Sequence, residues 1–254
     1  MSYIQQIVGD VRQRILREYM NYVPKETKRE HHSLIRAVRE RERAAVISEI
    51  KPASPSEGDL RFPLDPAALA IEMEEGGAAG ISVLTEPKHF KGSVDNLIAV
   101  RRAVDLPVLM KDFFVDERQI YRAAEVGADA ILLIPSICDL PEFHRLAAQL
   151  GLESLIEVHS EGDVDAAADV GAKLVGINNR DLKTLEVDIG RTVELVTPIR
   201  DRCGDVVVVS ESGISSPRHV RYVLSRGADA VLVGTSIMRA GDVAGKVRSL
   251  VESV

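Results

Sequence analysis

The sequence has no tryptophan, few other aromatic residues and no excess of basic residues. Aromatic side chains make up 4% of its 254 residues and the formal net charge is -7, so it lacks a base-stacking platform and a basic surface for nucleic acid. No apolar run approaches the roughly 18 residues that span a bilayer. The N-terminus also lacks a cationic start followed by an apolar stretch. We therefore expect a cytoplasmic protein with neither a nucleic-acid nor a membrane partner.

Metal-binding patterns are also missing from the sequence. The six histidines show no HxH or HExxH spacing, and such spacings are what place two ligands on one face of an element. Cys138 and Cys203 lie in different predicted loops, which favours reduced thiols over a disulfide. We predict no metal site.

A repeated Gly-Ala pair divides most of the chain into similar units. The pairs are Gly77-Ala78, Gly127-Ala128, Gly171-Ala172 and Gly227-Ala228. Each pair ends an amphipathic stretch and precedes an apolar run by two or three residues, and each interval is long enough for two strand-helix units. The predicted strands lie near 45–50, 79–84, 107–110, 129–134, 154–158, 173–177, 206–210 and 229–233. Eight helices alternate with them, the last near 241–252.

Alternating strands and helices require parallel pairing with right-handed crossovers. An open doubly wound sheet usually carries a glycine-rich loop after its first strand, but Lys51-Pro52-Ala53-Ser54 stands there. The sequence therefore predicts an α/β fold, an eight-stranded parallel (β/α)8 TIM barrel, at 45–254. We expect residues 1–254 to form a single domain.

The first 44 residues do not follow the repeat. Ile4, Val8, Val11, Ile15 and Tyr19 recur at helical spacing, which predicts an amphipathic helix whose apolar face needs a partner. We predict that residues 1–44 form a helical extension covering one barrel mouth. A solvated tail is the alternative.

Polar side chains follow five of the predicted strands. Because an unpaired buried ion costs several kcal/mol, charges seldom end apolar runs unless the strand opens onto a polar site. Active sites of barrels lie at the carboxyl ends of the strands, so these residues predict one active site. They are Glu49 and Lys51, Lys111, Glu157, Asn178, and Glu211 with Ser212.

Glycine turns follow the last two predicted strands. Gly213 ends the seventh strand, and Gly234 with Thr235 ends the eighth. Barrels commonly bind phosphate through backbone N–H groups of these two loops, and glycine allows the close approach. Phosphate binding is the prediction, and the alternative is that the glycines merely make turns. The loop from Lys51 to about Asp65 is long and unstructured in the prediction, as lids often are.

Seven segments in order resemble the motifs of the indole-3-glycerol phosphate synthase family. They are ISEIKPASPS (47–56), LTEPKHFKGS (84–93), LMKDFFVDE (109–117), IEVHS (156–160), GINNRDL (176–182), VSESGI (209–214) and VGTSIMR (233–239). The resemblance extends over essentially the whole predicted barrel. Pro52-Ala53 departs from it, because a basic residue is common there in the family. The resemblance implies ring closure of a carboxyphenylamino-deoxyribulose phosphate, followed by loss of carbon dioxide and water, without a metal or organic cofactor.

The resemblance also implies roles for the strand-end residues. Lys111 resembles the general acid of ring closure, and we expect burial and the nearby Lys51 to lower its pKa. Glu157 resembles the general base, and we expect its apolar flanks to raise its pKa. Glu49 resembles the residue that fixes Lys51, which is then free to contact substrate carboxylate or phosphate. The catalytic set is completed by Asn178 and Glu211.

Further residues are predicted to bind the substrate. Ser54 resembles a substrate contact of the family, and Phe90 and Phe113 can wall an apolar slot for the benzoate ring, although a core role is the alternative. Arg180 can hold a carboxylate through its guanidinium fork, or form an ion pair at the barrel rim. The predicted phosphate ligands are Lys51, Gly213, Gly234 and Thr235, with Ser212 beside them.

Two other functions remain open at this point. One is another barrel enzyme acting on a phosphosugar, such as an isomerase of tryptophan or histidine biosynthesis, although those resemble sites with Cys/Asp or Asp/Asp pairs. The other is a catalytically silent phosphosugar-binding barrel, which would lack Lys111 or Glu157. The expected partner is a small phosphosugar-anthranilate substrate, and the oligomeric state is left open, with a monomer possible.

Overall fold

The computed structural model describes residues 3–25, 31–181 and 184–254. Eight parallel strands close into a barrel in the order β1-β10-β9-β8-β7-β6-β5-β4, and β2 pairs with β3 as a small antiparallel hairpin. The strands are β1 (Ala45–Ile50), β2 (Ala53–Ser54), β3 (Gly58–Asp59), β4 (Gly80–Leu84), β5 (Val108–Lys111), β6 (Ala130–Leu133), β7 (Glu153–Val158), β8 (Leu174–Asn178), β9 (Val207–Glu211) and β10 (Ala230–Val233).

Helices follow each barrel strand and also precede the barrel. They are α1 (Tyr3–Glu18), α2 (Leu34–Arg39), α3 (Pro66–Glu75), α4 (Val94–Ala103), α5 (Glu117–Val126), α6 (Leu140–Gln149), α7 (Glu161–Asp169), α8 (Gly190–Cys203), α9 (Pro217–Leu224), α10 (Thr235–Met238) and α11 (Val243–Val251). Most of the helices between the strands begin at a Ser or Asp whose side chain accepts a backbone N–H of the first turn, as Ser93 does for α4. This capping makes their start points visible in the sequence.

The predicted TIM barrel is confirmed, and each barrel strand begins and ends within one residue of its predicted bounds. The Gly-Ala pairs recur because each of them marks the end of a helix. All four glycines have a positive φ, a conformation that glycine adopts without the clash a Cβ would cause. At Gly127, for example, φ is 94° and the N–H bonds back to the last turn of α5. The alanine that follows is buried and leads into the next strand.

Two apolar clusters result from the alternation of side chains along the strands. One face of each strand packs against the surrounding helices, as Val46 and Ile50 of β1 do. The other face fills the barrel interior, where Ile47 packs with Leu109 and Leu155. The polar residues at the strand ends continue the inward-facing rows, because successive side chains point to opposite faces.

The two helices before the barrel lie at opposite ends of it. On α1, Ile7, Val11 and Ile15 pack with Phe90 and Phe113 at the carboxyl ends of the strands. Leu34 and Val38 of α2 instead pack with the small residues that begin the strands, such as Ala45, Ala130 and Ala230. The prediction that residues 1–44 cover one mouth therefore needs a correction. The physical reason is that the two apolar faces match different surfaces, aromatic rings at one mouth and small side chains at the other.

Candidate active site

A cavity of about 560 Å³ opens at the carboxyl-terminal mouth of the barrel. Its volume lies in the usual range for a small-molecule site. Every residue of the predicted catalytic, substrate and phosphate sets lines it: Glu49, Lys51, Ser54, Phe90, Lys111, Phe113, Glu157, Asn178, Arg180, Glu211, Ser212, Gly213, Gly234 and Thr235. The structure thus brings together strand ends that lie far apart in the chain.

Lys111 occupies the centre of the charged cluster. Its Nζ lies 3.0 Å from Glu211 Oε2 and 3.4 Å from Glu157 Oε2. Asn178 Nδ2 donates to the other oxygen of Glu157 at 3.1 Å. The three strands β5, β7 and β9 therefore supply one cation between two carboxylates, and β8 supplies the amide that orients one of them.

Lys51 and Glu49 form a second pair on β1. Lys51 Nζ lies 3.1 Å from Glu49 Oε1, and Ser82 Oγ donates to Glu49 Oε2 at 3.4 Å. Residues 49 and 51 alternate with Ile50, so they extend to the same side of the strand. A Cβ on Gly234 would lie only 2.5 Å from Glu49 Oε1. A side chain at position 234 would therefore displace the Glu49 carboxylate.

The pKa of Lys111 is raised, which corrects the prediction that it is lowered. Burial acts to lower it, but the carboxylates of Glu211, Glu157 and Glu49 together outweigh burial. The nearby cation that the prediction invoked is engaged by its own carboxylate, since Lys51 pairs with Glu49. Lys111 is consequently a stable ammonium ion in the free site.

The two carboxylates beside Lys111 differ in their pKa values. Burial acts to raise the pKa of Glu157, but Lys111, His159 and Asn178 lower it overall, so the predicted rise is wrong. Burial raises the pKa of Glu211 to about 7. The negative charges of Glu157 and Glu49 also raise it, whereas Lys111 acts to lower it. Of the two carboxylates, Glu211 is therefore the more readily protonated, and Glu157 is the one held in its ionised form.

Two neighbours of the site contact its charged groups. His159 Nε2 lies 3.2 Å from Glu157 Oε1, within ion-pair distance. Its spacing of two residues from Glu157 was the available signal. Asp112 is buried directly after Lys111 and accepts from Arg14 Nη2 of α1 at 3.1 Å and from Thr85 Oγ1 at 2.8 Å. No local pattern predicts that contact, because Arg14 is far away in the sequence.

Aromatic side chains form one wall of the cavity. The ring centroids of Phe90 and Phe113 are 6.1 Å apart, and Ile4 and Ile7 of α1 extend the same wall. This side of the cavity can accept a flat apolar ring. The helix before the barrel thus contributes directly to the site.

Other residues that line the cavity are polar. Ser54 Oγ has no hydrogen-bond partner within the described part of the chain. Arg180 Nη1 donates to Leu185 O at 2.8 Å, a bond to the backbone, and the alternative of a rim ion pair is not found among the described residues. Ser212 and Gly213 have φ values of 66° and 80°, which turn the chain sharply after β9.

The loop after Lys51 is more ordered than the prediction of an unstructured lid. It contains the hairpin of β2 and β3, and Leu60 N donates to Pro52 O at 2.8 Å. Arg61 binds the carbonyls of Met238 and Ala240 beyond the last strand. A two-residue strand carries too little hydrophobic pattern to be predicted, so only the structure shows that this loop is held in place.

Within the described ranges, no group of three or more His, Cys, Asp or Glu side chains is arranged to hold a metal ion. None of the described helices is long and apolar enough to cross a membrane.

A closed barrel with ionised lysine and glutamate side chains converging on one cavity at its carboxyl-terminal mouth defines an enzyme of acid-base chemistry. A family model described as indole-3-glycerol phosphate synthase matches residues 2–250. The chain belongs to the indole-3-glycerol phosphate synthase family, whose members are carboxy-lyases of tryptophan biosynthesis.

Relatives with established names support the same family. An indole-3-glycerol phosphate synthase of Methanocaldococcus jannaschii is 49% identical over 210 residues, covering 81% of this chain and 77% of that protein. One of Deinococcus radiodurans is also 49% identical over 210 residues and covers 82% of this chain and 78% of that protein. The matched region spans most of the barrel in both.

Solved structures show the same fold at low sequence identity. A thiamine phosphate pyrophosphorylase of Pyrococcus furiosus superposes with a TM-score of 0.63 at 19% identity, covering 86% of this chain and 96% of that one. An N-acetylmannosamine-6-phosphate 2-epimerase of Clostridium perfringens gives 0.62 at 16% identity, covering 85% and 95%. These likenesses concern the barrel alone.

Proposed function

We propose that the chain converts 1-(2-carboxyphenylamino)-1-deoxyribulose 5-phosphate into indole-3-glycerol phosphate, with the residues of the cavity in the roles below. The observation that carries this assignment is the placement of Lys111 between Glu157 and Glu211, in the same cavity as the Lys51–Glu49 pair. The reaction needs a cation at the ketone oxygen, a base for a later proton, and contacts for a benzoate and a phosphate.

Lys111 acts in ring closure. The aromatic carbon that carries the carboxylate forms a bond to the ketone carbon, and the ketone oxygen gains negative charge and then a proton. A buried ammonium stabilises that charge as it develops and can deliver the proton. Because its pKa is raised, Lys111 is an ammonium ion when the substrate binds, and charge stabilisation is the larger part of its contribution. Loss of carbon dioxide then restores the aromatic ring.

Glu157 acts in the dehydration that follows. The hydroxyl formed from the ketone leaves as water, and a proton leaves the adjacent carbon to create the double bond of the indole. An ionised carboxylate is needed to accept that proton. Lys111, His159 and Asn178 keep Glu157 ionised. Asn178 also fixes the orientation of Glu157 through its 3.1 Å hydrogen bond.

Lys51 and Glu211 complete the catalytic set. Lys51 reaches the cavity from β1 and, steadied by Glu49, binds the substrate carboxylate or phosphate and assists the loss of water. Glu211 holds the ammonium of Lys111 at 3.0 Å. Ionised Glu211 is the competent form, because its negative charge fixes the cation where the ketone oxygen binds.

The ends of the substrate bind on opposite sides of the cavity. Phe90 and Phe113, with Ile4 and Ile7, enclose the benzoate ring, and Ser54 and Arg180 contact polar groups of the substrate. The phosphate binds at the turns after β9 and β10, through Ser212, Gly213, Gly234 and Thr235 with help from Lys51. Backbone N–H groups at such turns suit a phosphate because they supply several donors at close range.

The direct test is incubation with the carboxyphenylamino substrate while indole absorbance and fluorescence are recorded. The sequence has no tryptophan, so the protein adds little background to the indole signal. Inorganic phosphate should compete with the substrate. A folded protein that releases no indole product would contradict the proposal, and activity without phosphate competition would contradict only the phosphate site.

We also propose a single domain in which residues 1–44 extend the barrel of residues 45–254, and a cytoplasmic location. The two free cysteines are compatible with a reducing compartment. The partner is the small-molecule substrate. Fractionation of cells that express the tagged chain tests the location.

A further inference from the structure

Asn179, directly after β8, sits in a closed ring of buried hydrogen bonds. Its Nδ2 donates to Ser210 Oγ at 3.0 Å. Thr192 Oγ1 lies 2.7 Å from Ser210 Oγ and 2.8 Å from Asn179 Oδ1. The relative exposure of Asn179, Ser210 and Thr192 is 0%, so this ring is out of contact with solvent and does not line the cavity. A role in contact with the substrate is therefore excluded for these three side chains.

The orientation of the Asn179 amide follows from its partners. Thr192 N can only donate, and it lies 3.2 Å from Oδ1. Ser212 O can only accept, and it lies 3.0 Å from Nδ2. The amide uses both donors and both acceptor positions, so its hydrogen-bonding capacity is saturated. Any rotation of the amide would place donor against donor, and the side chain is fixed in one position.

Asn179 anchors the turn after β9 through two carbonyl groups. Its side chain binds Ser212 O, and its own backbone N donates to Glu211 O at 2.9 Å. Ser212 has a φ of 66°, which a residue with a Cβ rarely adopts without support. The hydrogen bond to Ser212 O supplies that support from the buried side.

We infer that Asn179 is a positioning residue for phosphate, an inference that rests on the phosphate site proposed above. The peptide between Ser212 and Gly213 is trans, so the carbonyl of Ser212 and the N–H of Gly213 point in opposite directions. The carbonyl points to the buried Asn179. The N–H of Gly213 therefore points away from the ring, toward the cavity that Ser212 and Gly213 line.

The unused N–H group of Gly213 agrees with this inference. Among the described residues, Gly213 N donates to no protein acceptor. Donors left open in a cavity are what an anion requires. Asn179 thus orients the N–H of Gly213 without contacting the ligand itself.

The test compares Asn179→Ala with Thr192→Val. Asn179→Ala removes the bond to Ser212 O, whereas Thr192→Val breaks the same buried ring and leaves that bond in place. We expect Asn179→Ala to raise both the inhibition constant of inorganic phosphate and the KM by about tenfold, roughly what one well-placed hydrogen bond is worth. Its kcat should stay within about threefold of wild type, because Glu211 is held by Lys111 and by a backbone N–H rather than by the Asn179 side chain.

Thr192→Val is the control for a merely structural role. It should lower the melting temperature, as Asn179→Ala does, yet leave the inhibition constant of phosphate within about twofold of wild type. All proteins are assayed in a stabilising osmolyte, so that loss of folding does not obscure binding. Asn179→Asp serves as a second variant, since it keeps the shape and the acceptor for Thr192 but its carboxylate cannot donate to Ser212 O.

Three results would overturn the inference. One is a folded Asn179→Ala or Asn179→Asp variant whose inhibition constant for phosphate lies within about twofold of the wild-type value. Another is a Thr192→Val variant that weakens phosphate binding as much as Asn179→Ala and Asn179→Asp do. The third is a fall in kcat with no change in KM. If phosphate fails to compete even in the wild type, the proposed phosphate site itself is wrong, which is a different outcome from a null effect at Asn179.

Discussion

The charge on Lys111 depends on a competition between burial and neighbouring carboxylates. Burial alone would favour the neutral amine, but Glu211, Glu157 and Glu49 raise its pKa. The same neighbours make removal of Lys111 costly, since two buried carboxylates would lose their cation. At the residue scale, the proposed catalytic role of Lys111 and the stability of the site therefore depend on the same contacts.

Lys111→Ala should lower kcat by about a hundred- to ten-thousand-fold with little change in KM, because the ammonium acts mainly in the transition state. Steady-state kinetics measure this change, and thermal denaturation shows whether the variant is folded. Lys173→Ala removes an exposed lysine at the other end of β8 and should leave kcat unchanged. A folded Lys111→Ala that keeps more than about a tenth of wild-type kcat would contradict the role.

The pH dependence of kcat/KM should reveal Glu211. Its pKa is raised to about 7 and its ionised form is the competent one, so activity should fall as the pH falls through that value. Glu211→Gln should abolish this acidic limb. In Glu157→Gln the limb should move to lower pH, because the charge of Glu157 is one of the causes that raise the pKa of Glu211. A limb that stays in place in Glu157→Gln would contradict the coupling.

Elements of this barrel are delimited by short local signals. A helix begins at a capping Ser or Asp and ends at a glycine with positive φ, and an apolar strand follows. Because these signals lie within a few residues of each other, the strand bounds could be predicted closely. The β2–β3 hairpin was missed because two-residue strands have no hydrophobic period of their own.

Two alanine substitutions should show the effect of backbone conformation alone. A Cβ at Gly171 or at Gly9 would meet nothing within 4 Å, but Gly171 has a φ of 69° whereas Gly9 lies within α1. Gly171→Ala should lower the free energy of unfolding by about 1–2 kcal/mol. Gly9→Ala should raise it by about 0.5–1 kcal/mol. Urea denaturation measures both, and equal effects of one sign would contradict the conformational explanation.

At the scale of the whole molecule, a part-buried ion pair between Arg14 and Asp112 helps to join α1 to the barrel. Arg14 reaches from α1 to Asp112, which follows Lys111 in sequence, and the apolar residues of α1 pack on Phe90 and Phe113. The wall of the cavity therefore depends on the docking of the N-terminal helix. Residues before the barrel and residues of the barrel form one site.

Arg14→Ala should loosen this docking. It leaves Asp112 buried without its cation, which costs about 3 kcal/mol, at the low end of such losses because Thr85 and the Phe113 N–H still bind the carboxylate. We expect faster proteolysis within α1 and a higher KM. Arg12→Ala, which removes an exposed arginine from the same helix, is the matched control. If both variants behave alike, the ion pair does not hold the helix.

The sequence by itself determined the order of the elements, the closure into a barrel and the polar residues at the strand ends. These features follow from periodicity, capping and burial, which act between neighbours in the chain. Only the tertiary structure decided which carboxylates surround Lys111, which way their pKa values move, and that Asn179 supports Ser212. Those outcomes depend on distances of a few ångström between residues far apart in sequence, because electrostatic and hydrogen-bond energies change steeply over that range. Such distances are set only when the barrel closes.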